Sequence, residues 1–172
     1  MLKRTLILLA TLLSACTTLN TSPPKVALEK DAQWALLPIL NQTETPQAGL
    51  RAEALMEASL RNAGISQLQR YPAKLNQETL FEPAERKIAD DAKTWASQQG
   101  LRYGVSGTVT EWRYKVGVDG EPAVGMMLQI TDLKSGQVVW SGSGGKTGYS
   151  RESLSGTAQK LLNQMLSSAG LE

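Results

Sequence analysis

Glycine, lysine and hydroxyl side chains between Trp140 and Ser153 raise the question of phosphate binding. The stretch contains Gly145-Lys146-Thr147, follows a strand-like run and precedes a helix-like run, which is the usual setting of a nucleotide-binding loop. Such a loop needs another glycine five positions before Gly145. Trp140 occupies that position, and an indole cannot replace a glycine around a phosphate. The spacing therefore argues against a nucleotide site and predicts a flexible glycine-rich loop after a core Trp140.

The side chains that most enzymes use are missing. The chain has no histidine and one cysteine, which excludes Ser-His-Asp and Cys-His catalysis and imidazole-ligated zinc. Asp90 and Asp91 are adjacent carboxylates, but neighbouring residues on a helix diverge by about 100° and cannot meet at one atom. We therefore expect a solvated helix face at Asp90-Asp91, and no catalytic residue, metal site or cofactor.

The amino terminus is typical of a bacterial lipoprotein. Met1 to Arg4 is basic, and the apolar run from Thr5 to Leu13 is too short for a transmembrane helix. Leu13-Ser-Ala-Cys16 then predicts cleavage before Cys16 and acylation of its thiol and amine. Thr17 is not the aspartate that usually signals inner-membrane retention, so we expect the periplasmic leaflet of the outer membrane.

Three regions follow from this interpretation. Residues 1–15 are the predicted signal peptide, residues 16–31 the acylated cysteine and a short tether, and residues 32–172 one globular domain. The chain has 18 basic and 16 acidic side chains, and Lys3 and Arg4 leave with the leader. The mature protein is therefore neutral on this count and shows no basic run typical of nucleic-acid binding.

Three predicted helices share one stop signal. Each ends in a glycine followed by an apolar residue: Gly64-Ile65, Gly100-Leu101 and Gly170-Leu171, the pattern of a left-handed helix cap. We expect Thr45 to be the N-cap of the first helix and Pro46 to be its first helical residue. Its outer face is expected to carry four charged residues: Arg51, Glu53, Glu57 and Arg61.

Strand patterns fill the remaining chain. The apolar run Gln33–Leu40 predicts a buried strand with a bulge or a sheet edge near Pro38. A parity change near Thr110 predicts a second bulge or a strong twist. A strand near Leu68 and a three-stranded meander from Tyr103 to Ser141 complete the pattern, with an Asp-Gly hairpin turn at Val118–Glu121. We predict an α/β (α+β) sandwich, a mixed sheet of about five strands with three main helices.

The chain resembles the PelC family of outer-membrane lipoproteins in Pel exopolysaccharide export. The resemblance lies in the order of elements, in the lipoprotein motif Leu13-Ser-Ala-Cys16 and in three sequence segments. These segments are Leu36-Leu-Pro-Ile-Leu-Asn-Gln-Thr-Glu-Thr-Pro-Gln-Ala-Gly49, Val138-Val-Trp-Ser-Gly142 and Arg151-Glu-Ser-Leu-Ser-Gly-Thr-Ala-Gln-Lys160. The resemblance implies a domain similar to the amino-terminal domain of TolB. It also implies a dodecameric ring beneath a PelB-type outer-membrane barrel, passing a cationic exopolysaccharide outward during secretion of the biofilm matrix.

Tyr149 stands between Lys146 and Arg151, and an aromatic ring flanked by cations suits a lipid headgroup layer. The resemblance implies a ring of exposed aromatic side chains that contact the bilayer, and Tyr149 fits that role. The alternative is that Tyr149 packs locally before the third helix.

Asp119 and Glu121 lie in the predicted hairpin turn, where they can be ordinary solvated residues because Asp-Gly turns favour aspartate. The resemblance implies an electronegative funnel, and carboxylates repeated around a ring sum their fields toward a cationic polymer. We therefore assign Asp119 first and Glu121 second to that role.

Two other lipoprotein functions remain open. An LpoB-like activator of a peptidoglycan synthase needs a long tether, and the predicted tether is short. A CsgG-like pore needs a spare pair of alternating membrane strands of about ten residues, and none is found.

Overall fold

The computed structural model describes residues 17–72, 82–117 and 120–172, with only the backbone for residues 82–86. The elements in chain order are β1 (Thr17–Thr21), β2 (Trp34–Asn41), α1 (Ala48–Asn62), β3 (Leu68–Arg70), α2 (Glu82–Gln98), β4 (Tyr103–Tyr114), β5 (Pro122–Asp132), β6 (Gln137–Thr147) and α3 (Leu154–Ser168). The expected leader, Cys16, the segment from Lys74 to Phe81, Val118 and Asp119 lie outside the described residues.

The strands form one mixed sheet in the order β1-β6-β5-β4-β2-β3. β2 runs parallel to β3 and β4, and the other neighbours are antiparallel. Helices α1 and α3 pack together on one face, and α2 packs against β2. Trp34 and Leu36 face the first core while Ala35 and Leu37 face the second, which explains the continuous apolar run of β2. The predicted sandwich of a mixed sheet and three helices is confirmed, with six strands.

All three glycine stop signals are confirmed. Gly64, Gly100 and Gly170 have positive φ angles of 92°, 70° and 79°. The N–H of the apolar residue after each glycine donates to a carbonyl of the last helical turn, as Ile65 does to Leu60 at 3.1 Å. This geometry satisfies carbonyls that the ending helix leaves without an internal partner.

Both predicted bulges are confirmed by the strand register. The β2–β4 register shifts between Leu36 and Ile39, around Pro38, because proline has no N–H for the ladder. The β4–β5 register shifts between Val109 and Glu111, where the apolar positions change parity in the sequence.

Where the structure describes the expected short tether of residues 16–31, the chain is folded against the domain. Thr17–Thr21 is an edge strand paired with β6, and the Lys25 N–H donates to the Val139 carbonyl at 2.9 Å. The threonine-rich sequence favours a strand, and Pro23 and Pro24 come only after that strand ends. The first residue after Cys16 is therefore already part of the sheet.

Glu53 also departs from expectation, because it is buried rather than on a solvated face. Its side chain is 3% exposed, and its carboxylate accepts from the Ile39 N–H at 3.1 Å and from Arg70 Nη2 at 2.7 Å. The bulge around Pro38 places the Ile39 N–H beside α1, and Glu53 satisfies it. The expected cap by Thr45 is wrong too, since its hydroxyl donates to the Trp112 carbonyl at 2.5 Å and α1 begins at Ala48 after Gln47.

Candidate functional site

The glycine-rich stretch after Trp140 is a strand, so the expected flexible loop is wrong. Residues 142–147 pair with β5 on one side, and residues 142–146 pair with β1 on the other. Trp140 is buried, as predicted. A Cβ at Gly142 would lie 2.9 Å from the Trp140 indole, and a Cβ at Gly144 would lie 2.9 Å from Leu161 Cδ1 of α3. The glycines therefore let the indole and a helix approach the strand closely, and this backbone does not wrap a phosphate.

Lys146 connects this strand to the amino terminus. Its Cα pairs with that of Thr17 across the β1–β6 ladder, and its Nζ donates to Thr17 Oγ1 at 2.7 Å. Cys16 is one residue away from Thr17, and consecutive Cα atoms are about 3.8 Å apart. The residue that follows the predicted lipid attachment point therefore lies beside Lys146, which is three residues before Tyr149 in the chain.

A short segment carries the predicted aromatic side chain; we call residues 148–153 the Tyr149 loop. Tyr149 is 49% exposed. Its N–H donates to Glu152 Oε2 at 3.1 Å, and its carbonyl accepts from the Glu152 N–H at 3.0 Å. Arg151, predicted beside it, takes a left-handed φ of 68° and is exposed. The loop is thus closed upon itself and presents Tyr149 and Arg151 outward.

Glu152 holds that loop to α3. Its carboxylate pairs with the Lys160 ammonium. That hydrogen bond, followed by the one from the Tyr149 N–H, lowers the pKa of Glu152 below its ordinary 4.5. Gly148 lies so close that a Cβ there would be 2.6 Å from Glu152 Oε2 and 2.8 Å from the Pro122 ring. The Tyr149 loop is therefore packed against both α3 and the start of β5.

The β4–β5 hairpin, residues 115–121, lies at the same end of the sheet. The Gly148 N–H donates to the Pro122 carbonyl at 2.8 Å, and the Tyr114 hydroxyl donates to the Glu152 carbonyl at 3.3 Å. Glu121 is partly exposed with Lys115 Nζ 3.8 Å from its carboxylate, so its charge is partly balanced. Asp119 lies outside the described residues. The structure thus brings Lys146, Arg151, Tyr149 and Glu121 to one end of the molecule.

Exposed apolar side chains gather at this end. Val116 is fully exposed, and Tyr114 and Tyr149 are each 49% exposed. Sequence reasoning did not single out Tyr114, Val116, Glu152 or Lys160 for the site. The position of Glu152 three residues after Tyr149 was an available signal, since this spacing suits a carboxylate that accepts from a loop N–H.

The remaining candidate groups can also be placed on the structure. Asp90 and Asp91 lie exposed on α2, as predicted. No group of three potential metal ligands occurs among the described residues, and no described helix is long and apolar enough to cross a membrane.

Comparisons with known proteins identify relatives among solved structures. No protein-family profile and no curated protein matches the chain. A PelC dodecamer from Paraburkholderia phytofirmans matches with a TM-score of 0.74 and 39% identity, over 89% of this chain and 96% of that chain. The chain belongs to the PelC family.

Two further solved structures match the chain. A substituted PelC dodecamer from the same organism matches with a TM-score of 0.73 and 38% identity, over 88% of this chain and 97% of that chain. Lipoprotein GNA1162 from Neisseria meningitidis matches with a TM-score of 0.55 and 23% identity, over 79% and 96% of the two chains. The last likeness concerns the fold alone, which the PelC family shares with it.

Proposed function

We propose that this chain is a non-enzymatic, lipid-anchored subunit of a polysaccharide export apparatus, working as a homo-oligomeric ring in the periplasmic leaflet of the outer membrane. The observation that carries the proposal is the match to a PelC dodecamer across 96% of that chain. A ring of identical subunits beneath a PelB-type barrel gathers a cationic exopolysaccharide and passes it to the pore.

The position of β1 supports the membrane assignment. With Cys16 acylated, the acyl chains start one residue from Thr17, at the edge that also carries Lys146. Two or more acyl chains hold a protein firmly to a bilayer. Tyr149 and Arg151 extend from the same end of the sheet, where an aromatic ring and cations suit lipid headgroups. No free segment separates Thr17 from the domain, which removes the long reach that an LpoB-like activator requires.

The hairpin supports the polymer assignment. Asp119 and Glu121 belong to the tip between β4 and β5, and Glu121 is partly exposed. A single exposed carboxylate attracts a cation weakly in water, about 1 kcal/mol at 4 Å. Copies arranged around one opening add their fields and concentrate a polycation there.

The decisive experiment for this function measures the mass of the acylated full chain in mild detergent by native mass spectrometry. We expect a closed oligomer, most simply a dodecamer of the kind that the relatives form, with diacylglyceryl and acyl groups on Cys16. A monomeric acylated chain would contradict the proposal and favour an activator. An unmodified Cys16 would contradict the lipid anchor.

A further inference from the structure

Part of one face of the sheet has no helix packed on it among the residues that the structure describes. Helices α1 and α3 pack on the side that faces Trp34, Val105 and Met126. On the opposite side, α2 packs against β2 beside Ala35 and Leu37. The outer surface of β4, β5, β6 and β1 extends beyond α2.

The register aligns the outward side chains of this surface in rows across the strands. One row crosses five strands through Leu40, Thr108, Met127, Ser143 and Asn20. The next row contains Ser106, Gln129 and Ser141. We call these eight residues the neutral face.

The composition of the neutral face differs from that of an ordinary surface. None of its residues is Lys, Arg, Asp or Glu, in a chain whose residues are 20% charged. Met127 is the middle residue of the five-strand row, and its side chain is 52% exposed. The absence of charge and the central methionine are typical of interface cores, whereas the three serines are not, and a thioether adapts to an irregular partner surface.

A polysaccharide fits this surface less well than a protein does. Carboxylates attract a cationic polymer, and aromatic faces attract its cations, whereas the eight residues include neither. The hydroxyl and amide groups can instead exchange hydrogen bonds with another polypeptide at no cost in desolvated charge.

We infer that the neutral face is a subunit contact, covered by a second copy of this chain. This inference rests on the proposed oligomer. Subunits of a ring larger than a dimer meet through two different surfaces, so the neutral face contacts a different region of the neighbouring copy. Met127 is the central anchor of that contact.

The test compares Met127→Glu with Gln69→Glu in the acylated full chain, by native mass spectrometry in mild detergent. Gln69 is exposed on edge strand β3, away from the neutral face. A buried, unpaired carboxylate at position 127 should convert the oligomer to monomers, and the Gln69 variant should keep the wild-type mass. An oligomer with Met127→Glu, or a monomer with Gln69→Glu, overturns the inference. A monomeric wild type instead overturns the proposed function.

A second measurement does not depend on how the charged variant folds. With the thiol of Cys16 acylated, Ser143→Cys or Gln69→Cys introduces one free thiol. In the intact oligomer we expect a bulky maleimide to label position 143 at least ten-fold more slowly than position 69. Equal labelling would show that the neutral face is open, or that it is covered only by a ligand such as a sugar polymer that the purification removes.

Discussion

Glu152 joins three structural elements through one carboxylate and one carbonyl. Its side chain accepts from the Tyr149 N–H and pairs with Lys160 of α3, and its carbonyl accepts from the Tyr114 hydroxyl at the end of β4. Charge-assisted hydrogen bonds of this kind are stronger than neutral ones. Glu152 is therefore a positioning residue that holds the Tyr149 loop in the conformation proposed to meet the membrane.

Neutralising Glu152 should loosen the Tyr149 loop without unfolding the domain. The pKa of Glu152 is lowered in the folded chain, so its contribution is present at neutral pH and is lost as the pH falls through that lowered value. We expect Glu152→Gln to reproduce the acid state at pH 7. Because Lys160 is more than half exposed, the loss is about 1 kcal/mol.

Amide hydrogen exchange measures this effect directly. Amides of residues 149–154 should exchange roughly five-fold faster in Glu152→Gln than in the wild type, the rate equivalent of about 1 kcal/mol. Glu57→Gln removes a surface pair with Arg61 on α1 and should leave the loop amides unchanged. Unaltered exchange at 149–154 in Glu152→Gln would show that the carboxylate does not hold the loop.

Among the elements, β6 depends most on its small residues. Gly142 and Gly144 are contacted by the Trp140 ring and Leu161, whereas a Cβ at Gly145 would meet only the Val124 carbonyl, at 3.9 Å. The glycines of one short run therefore differ in how much space surrounds them, although they look alike in the sequence.

Alanine substitutions at Gly142 and at Gly145 should therefore have different effects on stability. Gly142→Ala forces the indole and Thr21 Cγ2 to move and should lower the free energy of unfolding by about 1–3 kcal/mol. Gly145→Ala has room and should change it by less than about 0.5 kcal/mol. Urea denaturation followed by Trp fluorescence checks both. Equal effects of the two substitutions would contradict the close packing of the indole on β6.

The helices and the two bulges were predictable because their signals are local. Glycine stops such as Gly64 and the parity change near Thr110 can be read within a few residues. Strand β1 was not predictable in this way, because Thr17 meets its partner Lys146 across 129 positions of the chain. The buried Glu53 escaped prediction for a related reason, since its partners Ile39 and Arg70 come from two strands.

The candidate site, too, was predictable only where its signals are local in the sequence. Tyr149, Lys146 and Arg151 are close in the chain, and the structure places them at one end of the molecule; their contact with a membrane stays a prediction. The carboxylate of Glu152 that orders the loop depends on a helix residue and a strand residue brought together by folding. The acidic role of Asp119 stays a prediction, because this residue lies outside the described part.

At the scale of the whole molecule, the hairpin tip is proposed to act through repetition around a ring. Reversing one charge per subunit therefore reverses many charges at one opening. We expect Asp119→Lys to reduce surface polysaccharide strongly while the thermal unfolding midpoint stays within a few degrees of the wild type.

Asp90→Lys is the matched control, because Asp90 lies exposed on α2 and makes the same charge change. Cells that carry Asp90→Lys should secrete polymer at the wild-type level. Normal secretion by Asp119→Lys, or an equal loss in both variants, would refute a specific role for the hairpin.

The pairing of β1 with β6 also has a consequence for the order of assembly during export. On the proposed lipoprotein route, residues 17–21 cross the inner membrane before residues 142–146, so β1 has no partner until β6 has been translocated. Lipid can be attached to Cys16 while this strand is still free. On the same proposed route, pairing of β1 with β6 fixes the acyl chains to the folded domain, so that folding itself sets the orientation in which each subunit is delivered.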